Sequence, residues 1–210
     1  MYVPLAFRQD DKHTVLNHIR RFSFATLVTG AGSDVQATHL PLLVSEQSDG
    51  GWCLVGHLAA ANPQAAQLKD SQSMAIFQGP HAYITPSWYE AGNAVPTWNY
   101  VAVHVYGRLS VIADPSDVDQ LLRDTVQVYE RHQSMPWQVQ SVDRSWMADL
   151  ARAVVAFRLN VERVDAKWKL SQNHSESRRQ SVIEGLRRRG TPDDLAIADL
   201  MERSLREVDG

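Results

Sequence analysis

The sequence predicts an α+β fold in which six or seven mostly antiparallel strands form a sheet able to close into a barrel, with helices on its flanks. Three observations predict it. Short β-branched or apolar runs, punctuated by Gly, Pro, Asn and Asp, fill the first half of the 210 residues. Capped amphipathic helical patterns lie before, between and after those runs. The stretch Val95-Pro-Thr-Trp-Asn-Tyr-Val-Ala-Val-His-Val-Tyr-Gly-Arg108 alternates as a strand does. Val101, Val103, Val105 and Leu109 share one face, whereas Trp98, Tyr100, His104, Tyr106 and Arg108 share the other. A solvated strand face rarely carries four large rings, so this one calls for a cover: a ligand, a second subunit or both. Packing against another part of the same chain is the plainer alternative.

The elements follow in order. Asp10 or Asp11 caps a helix to about Phe22, with Val15 and Ile19 on its buried side. Phe24–Thr29 is a first strand, turned by Gly30-Ala-Gly32; Val35–Val44 is a second; Ser48-Asp-Gly-Gly51 turns into a third, Trp52–Leu58. Hairpins at this spacing suggest an antiparallel meander. Asn62 caps a short helix that carries Pro63 at its first position and runs to about Leu68. Met74–Gln78 and Ala82–Thr85 are the fourth and fifth strands, and the aromatic stretch is the sixth. Asp114-Pro-Ser-Asp117 opens a helix with Val118, Leu121, Leu122, Thr125 and Val128 on its apolar stripe. A shorter helix near Arg144–Leu150 leads to a last strand, Val154–Val164. The tail reads as two charged helices, Arg178–Arg189 and Asp193–Glu207, broken at Gly190-Thr-Pro192.

Composition narrows the function classes. Hydrophobic content of 44% and charged content of 21% are those of a soluble globular chain. A net charge of −3 gives no global field toward nucleic acid or an anionic membrane. The single Cys53 excludes an intrachain disulfide and a thiolate-rich zinc site, and no metal is expected. The start has no basic segment followed by an apolar run, and no stretch approaches the roughly 20 apolar residues of a membrane span, so a cytoplasmic protein is expected. There is no G-x-S-x-G, no H-E-x-x-H and no Gly-rich phosphate loop, and the carboxylates sit mostly in turns and helix starts. No nucleophile or acid–base pair stands out, so catalytic residues are not assigned.

Several groups could bind a ligand. His39 and His57 lie on neighbouring predicted strands and could offer imidazole nitrogens to a phosphate or a ring edge. A histidine among apolar strand neighbours is more often a core residue. Asn62 opens a helix whose N–H groups suit an anion, although capping alone accounts for it. Gln78 offers a donor and an acceptor beside Gly79, where a plain β-turn is an equal reading. In Lys167-Trp-Lys-Leu-Ser-Gln-Asn173, an extended chain sends Lys167, Lys169 and Ser171 one way and Trp168 and Leu170 the other, and two ammonium groups and a hydroxyl can hold a phosphate. The tail arginines are offset by Asp193, Asp194, Asp199 and Glu202, which fits a solvated helix face better than a DNA contact.

Read together, Phe24–Thr29, Thr38-His-Leu-Pro-Leu-Leu43, Gly56-His-Leu-Ala59 with Asn62-Pro-Gln64, Ile76-Phe-Gln-Gly-Pro-His-Ala-Tyr83, Pro86-Ser-Trp-Tyr89, Val95-Pro-Thr-Trp-Asn-Tyr100 and Lys167–Asn173 resemble the motif series of the PaiB-type FMN-binding negative transcriptional regulators. The likeness runs in order from Met1 to about Arg189. It implies a split β-barrel related to the pyridoxamine-phosphate oxidase group, working as a homodimer with FMN at the subunit interface. His39, His57, Asn62, Gln78, Trp98 and Asn99 would line the flavin site, and Lys167, Lys169 and Ser171, from the C-terminal motif, would reach the partner subunit's phosphate. The family commonly has a longer charged loop where this chain has Glu90-Ala-Gly-Asn-Ala94 without a lysine.

The resemblance further implies an FMN-binding split-barrel domain over residues 1–173 and a helical extension over 174–210. A regulatory role, with DNA or a regulatory protein as partner and no membrane, is the favoured expectation. A flavin-dependent oxidoreductase is one alternative. A haem-binding relative, with His39, His57, His81 or His104 as axial ligand, is another.

Overall fold

The computed structural model describes residues 1–31, 34–48, 50–69, 71–89, 94–138 and 143–206. Two compact units are present. The first comprises Met1–His18, Phe77–His104 and Asp165–Gly210; the second comprises Ile19–Ile76 and Val105–Val164. Among the described residues the strands are β1 (Phe24–Ala31), β2 (Asp34–Pro41), β3 (Leu43–Glu46), β4 (Trp52–Ala59), β5 (Gln72–Ile84), β6 (Thr97–Val111) and β7 (Val154–Lys169). The helices are α1 (Lys12–Arg21), α2 (Pro115–Glu130), α3 (Arg144–Arg152), α4 (Glu176–Arg189) and α5 (Pro192–Arg206). Short 3-10 turns span Leu5–Phe7, Pro63–Gln67 and Pro86–Trp88.

Capping chemistry sets the helix starts. Asp11, Asp114 and Asp143 each accept a backbone N–H of the following turn, and Ser175 does so for α4. Gly190, at φ 73°, ends α4 in the left-handed region that a side chain disfavours. Thr191 and Asp194 then exchange backbone-to-side-chain hydrogen bonds at the start of α5, which is the reciprocal arrangement of a capping box.

The strands form one sheet in the order β2-β1-β5-β6-β7-β4-β3. The β1–β2 and β3–β4 hairpins are antiparallel, with Thr26 opposite His39 and Leu43 opposite Val55. The expected second strand, Val35–Val44, is corrected: the chain breaks it at Leu42 into β2 and β3. Pro41 has no N–H for a ladder. Leu42 turns its side chain into the core and donates its N–H to the Ser23 carbonyl at 2.9 Å. The strands β2 and β3, consecutive in sequence, thus lie at the two ends of the strand order.

Gln78-Gly-Pro-His81 is not a turn. The expected fourth and fifth strands are a single strand, β5. Exposure alternates through Gln72, Met74, Ile76 and Gln78, skips two buried residues at Gly79 and Pro80, and resumes at His81 and Tyr83. That change of parity marks a bulge. Pro80 lies beyond the Ser73–Ile76 ladder with β1, and a Cβ on Gly79 would meet His18 Cε1 at 2.5 Å. The last strand likewise extends past Val164 to Lys169.

In the first unit the core joins Ala82 and Ile84 of β5 and Leu170 to Ile183, Leu186 and Ile197 of α4 and α5. The tail helices therefore share a core with residues that precede position 174. In the second unit Leu27, Leu54, Phe157 and Leu159 are fully buried.

Candidate functional site

The alternation of β6 is realised. Val101, Val103, Val105 and Leu109 are buried, while Trp98, Tyr100, His104, Tyr106 and Arg108 keep contact with solvent. In the first unit the open face carries Trp98, 52% exposed, and Tyr100 from β6, with exposed Gln78 from β5. The end of β7 adds both lysines. Lys169 Nζ donates to the Trp98 carbonyl at 2.6 Å and to the Thr97 hydroxyl. Burial, then the neighbouring charge of Lys167, holds its pKa below the ordinary lysine value. Lys167, 7% exposed, donates to the Tyr2 carbonyl at 3.2 Å and lies 5.2 Å from the Tyr100 ring centroid. These partners are carbonyls, a hydroxyl and rings. Among the described residues neither lysine is paired with a carboxylate.

Asn99 and Ser171 are brought together but turned inward. Asn99 is fully buried; its Nδ2 donates to Ser171 Oγ at 3.0 Å and to Met201 Sδ at 3.4 Å. Ser171 is not extended, because φ is +63° as the chain leaves β7 for α4. Both residues join β6 to the tail, while Trp98, next to Asn99, points the opposite way.

In the second unit His39 is exposed on β2. Its Nδ1 is 2.9 Å from the Thr26 hydroxyl, and its ring is stacked 6.3 Å from that of Phe24. Asn62 accepts the Gln64 N–H and donates to the Thr38 hydroxyl, both at 2.9 Å. Thr38 and His39 are neighbours on one strand, so Asn62 and His39 lie on opposite faces of β2. His57 on β4 has a buried Nδ1 without a hydrogen-bond partner, and burial lowers its pKa, favouring the neutral ring. A shallow depression of about 280 Å³ on this unit is lined by Val28, Val35, Met74 and Tyr106 among others. Among the described residues no group of three His, Cys, Asp or Glu side chains is placed to hold a metal. No helix among them is long and apolar enough to cross a membrane. Glu90–Asn93, in the short loop, lie outside the described residues.

Residues 1–163 match the family model described as "Putative FMN-binding domain". The chain belongs to this FMN-binding family. It is 35% identical over 208 residues to protease synthase and sporulation protein PAI 2 of Bacillus subtilis (strain 168), covering 99% of both chains. The PaiB-type likeness therefore extends through the tail. An uncharacterized protein of Emericella nidulans is 29% identical over 203 residues, covering 80% of this chain and 81% of the fungal one.

Among solved structures, the FAD and heme binding protein of Mycobacterium smegmatis aligns with a TM-score of 0.56 at 14% identity, over 77% of this chain and 73% of that one. The flavocytochrome Anf3 of Azotobacter vinelandii aligns at 0.57 and 13%, over 77% and 69%. At such identities the likeness concerns the fold, a split β-barrel.

FMN is the cofactor that the family match assigns. The donor set of the first unit fits it. Two ammonium groups whose hydrogen-bond partners among the described residues are neutral suit a phosphate, and a half-exposed indole suits a flat ring. The sequence-based flavin-site candidates did not include Tyr83 or His81, the latter named only as a haem ligand in the alternative reading; both rings lie beside Trp98. Reading Gly79-Pro80 as a bulge rather than a turn would have placed them on this face.

Proposed function

We propose that this chain is a PaiB-like FMN-binding protein of the regulator type that works as a homodimer, with flavin enclosed at the subunit interface. The observation that carries this reading is the open face of the first unit, where Trp98 and Tyr100 stand beside Lys167 and Lys169 with no carboxylate among the lysines' partners. The lysines would hold the phosphate and Trp98 would cover the ring. Gln78 would bond the ring's polar edge, and Asn99 with Ser171 would fix β6 in place. His39, His57 and Asn62 are proposed as further flavin contacts, His39 with its ring stacked on that of the exposed Phe24. Bound FMN supplies the redox chemistry; the protein supplies binding, orientation and exclusion of water.

A cofactor between subunits also explains why so many rings stay outside a core that could have taken them. The test is the absorbance spectrum and solution mass of the purified full chain titrated with FMN. The reading predicts a dimer that takes up FMN with a flavin band near about 450 nm. A monomer that leaves FMN free would overturn it, and an intense Soret band near about 400 nm would favour the haem alternative instead. Specific retention of DNA or of a protein partner supports the regulatory role; turnover of a reduced pyridine nucleotide supports the oxidoreductase alternative.

A further inference from the structure

Beyond its bulge, β5 brings a second group of side chains beside Trp98. The His81 ring lies 5.9 Å from the Trp98 ring at 36°, and the Tyr83 ring lies 5.9 Å away at 70°. His81 Nδ1 is 3.4 Å from Oδ2 of Asp193, in the first turn of α5. Asp193 does not sit there by chance of a loose surface chain. Arg189 bonds both carboxylate oxygens of the buried Asp194, Nε at 2.8 Å, and donates to the Tyr83 carbonyl at 2.9 Å. The Thr191–Asp194 box locks the same turn. The start of α5 is thereby clamped to β5 beside His81.

An ion pair between two half-exposed side chains adds little to stability, so folding gains little from this arrangement. What the contact does is orient the imidazole. The Asp193 carboxylate stands on the Nδ1 side of the ring at 3.4 Å, which leaves Nε2 as the ring's other polar atom.

We propose that His81, oriented by Asp193 and flanked by Trp98, hydrogen-bonds the polar edge of the flavin ring, which makes the C-terminal helical hairpin part of the cofactor site. This inference rests on the FMN reading above. A flavin ring presents carbonyl oxygens and one N–H along that edge. A neutral His81 accepts from the N–H through Nε2; a protonated one donates to a carbonyl. Asp193 is a positioning residue that acts through His81.

The test uses the full chain and titrates FMN into the wild type, His81→Ala, Asp193→Asn and, as control, Glu184→Gln on the exposed side of α4. Both exchanged groups are about half exposed, and circular dichroism and Tm confirm that each variant folds. His81→Ala and Asp193→Asn are expected to weaken FMN binding about tenfold and to shift the visible band of the bound flavin, whereas Glu184→Gln changes neither. Asparagine keeps the shape of aspartate, so a mere packing role for Asp193 leaves affinity and band unmoved. Wild-type affinity and an unshifted band in both variants would overturn the inference while leaving FMN binding intact. A wild-type protein that takes up no FMN removes the underlying reading itself, so the two failures are distinguishable.

Discussion

At the scale of single residues, burial lowers both Lys169 and His57, and of the two only Lys169 bears on phosphate binding. Lys169 is depressed, by burial first and by Lys167 second. A phosphate bound there needs the ammonium, so FMN affinity should fall with rising pH at values below the ordinary lysine value of 10.5. In the ligand-free protein the sign is reversed. The unfolded chain holds that proton more tightly, so stability rises with pH across the same window. Lys169→Ala should weaken FMN binding by about 1.5–3 kcal/mol, as loss of a charge-assisted hydrogen bond does, and should abolish the alkaline decline; titration at two pH values measures both. His57 is depressed by burial alone. Its unfolded form takes up a proton that the native form resists, so native stability is lost as pH falls below the ordinary value of 6.5 toward the folded one. His174 is lowered as well, by burial and then by Arg178 and Lys169, and adds the same sign. Urea unfolding at neutral and mildly acidic pH should show that His57→Leu loses part of this slope and His174 retains the rest.

At the scale of elements, the tail helices are positioned by close contacts rather than by propensity. Gly185 of α4 lies under the Trp88 ring, and a Cβ there would stand 2.4 Å from Trp88 Cδ2. Alanine gains about 1 kcal/mol of helix propensity over glycine, while overpacking costs typically about 1–3 kcal/mol. The ring is also covered by the Arg189 guanidinium, 5.1 Å from its centroid, which restricts its retreat. Gly185→Ala should therefore lower Tm despite its better helix propensity, as a thermal melt would record. The starts of α1 and α2 were legible in the sequence, because Asp11 and Asp114 cap through local chemistry. The break of Val35–Val44 at Leu42 and the continuity of β5 through Gly79-Pro80 were not. Gly-Pro reads as a turn locally. Only the neighbouring strands decide whether it is a turn or a bulge.

At the scale of the whole molecule, two predictions test how the chain is assembled. Removing residues 174–210 uncovers Ala82, Ile84 and Leu170, which share a core with α4 and α5. The shortened chain should lose cooperative unfolding and FMN retention. A sharp transition at the wild-type Tm would instead establish residues 1–173 as a self-sufficient domain. Saturating FMN should stabilise the full chain by about 2.7 kcal/mol at a hundred times Kd, which for a chain of this length raises Tm by about 5–10 °C. The class of fold, the aromatic strand and the paired lysines followed from the sequence, since alternation along a strand and capping within a turn are local properties. The inward turn of Asn99 and Ser171, the break between β2 and β3 at Leu42 and the meeting of His81 with Asp193 were decided by the tertiary structure alone. Each depends on residues far apart in the chain, and periodicity carries no information about which of them will meet.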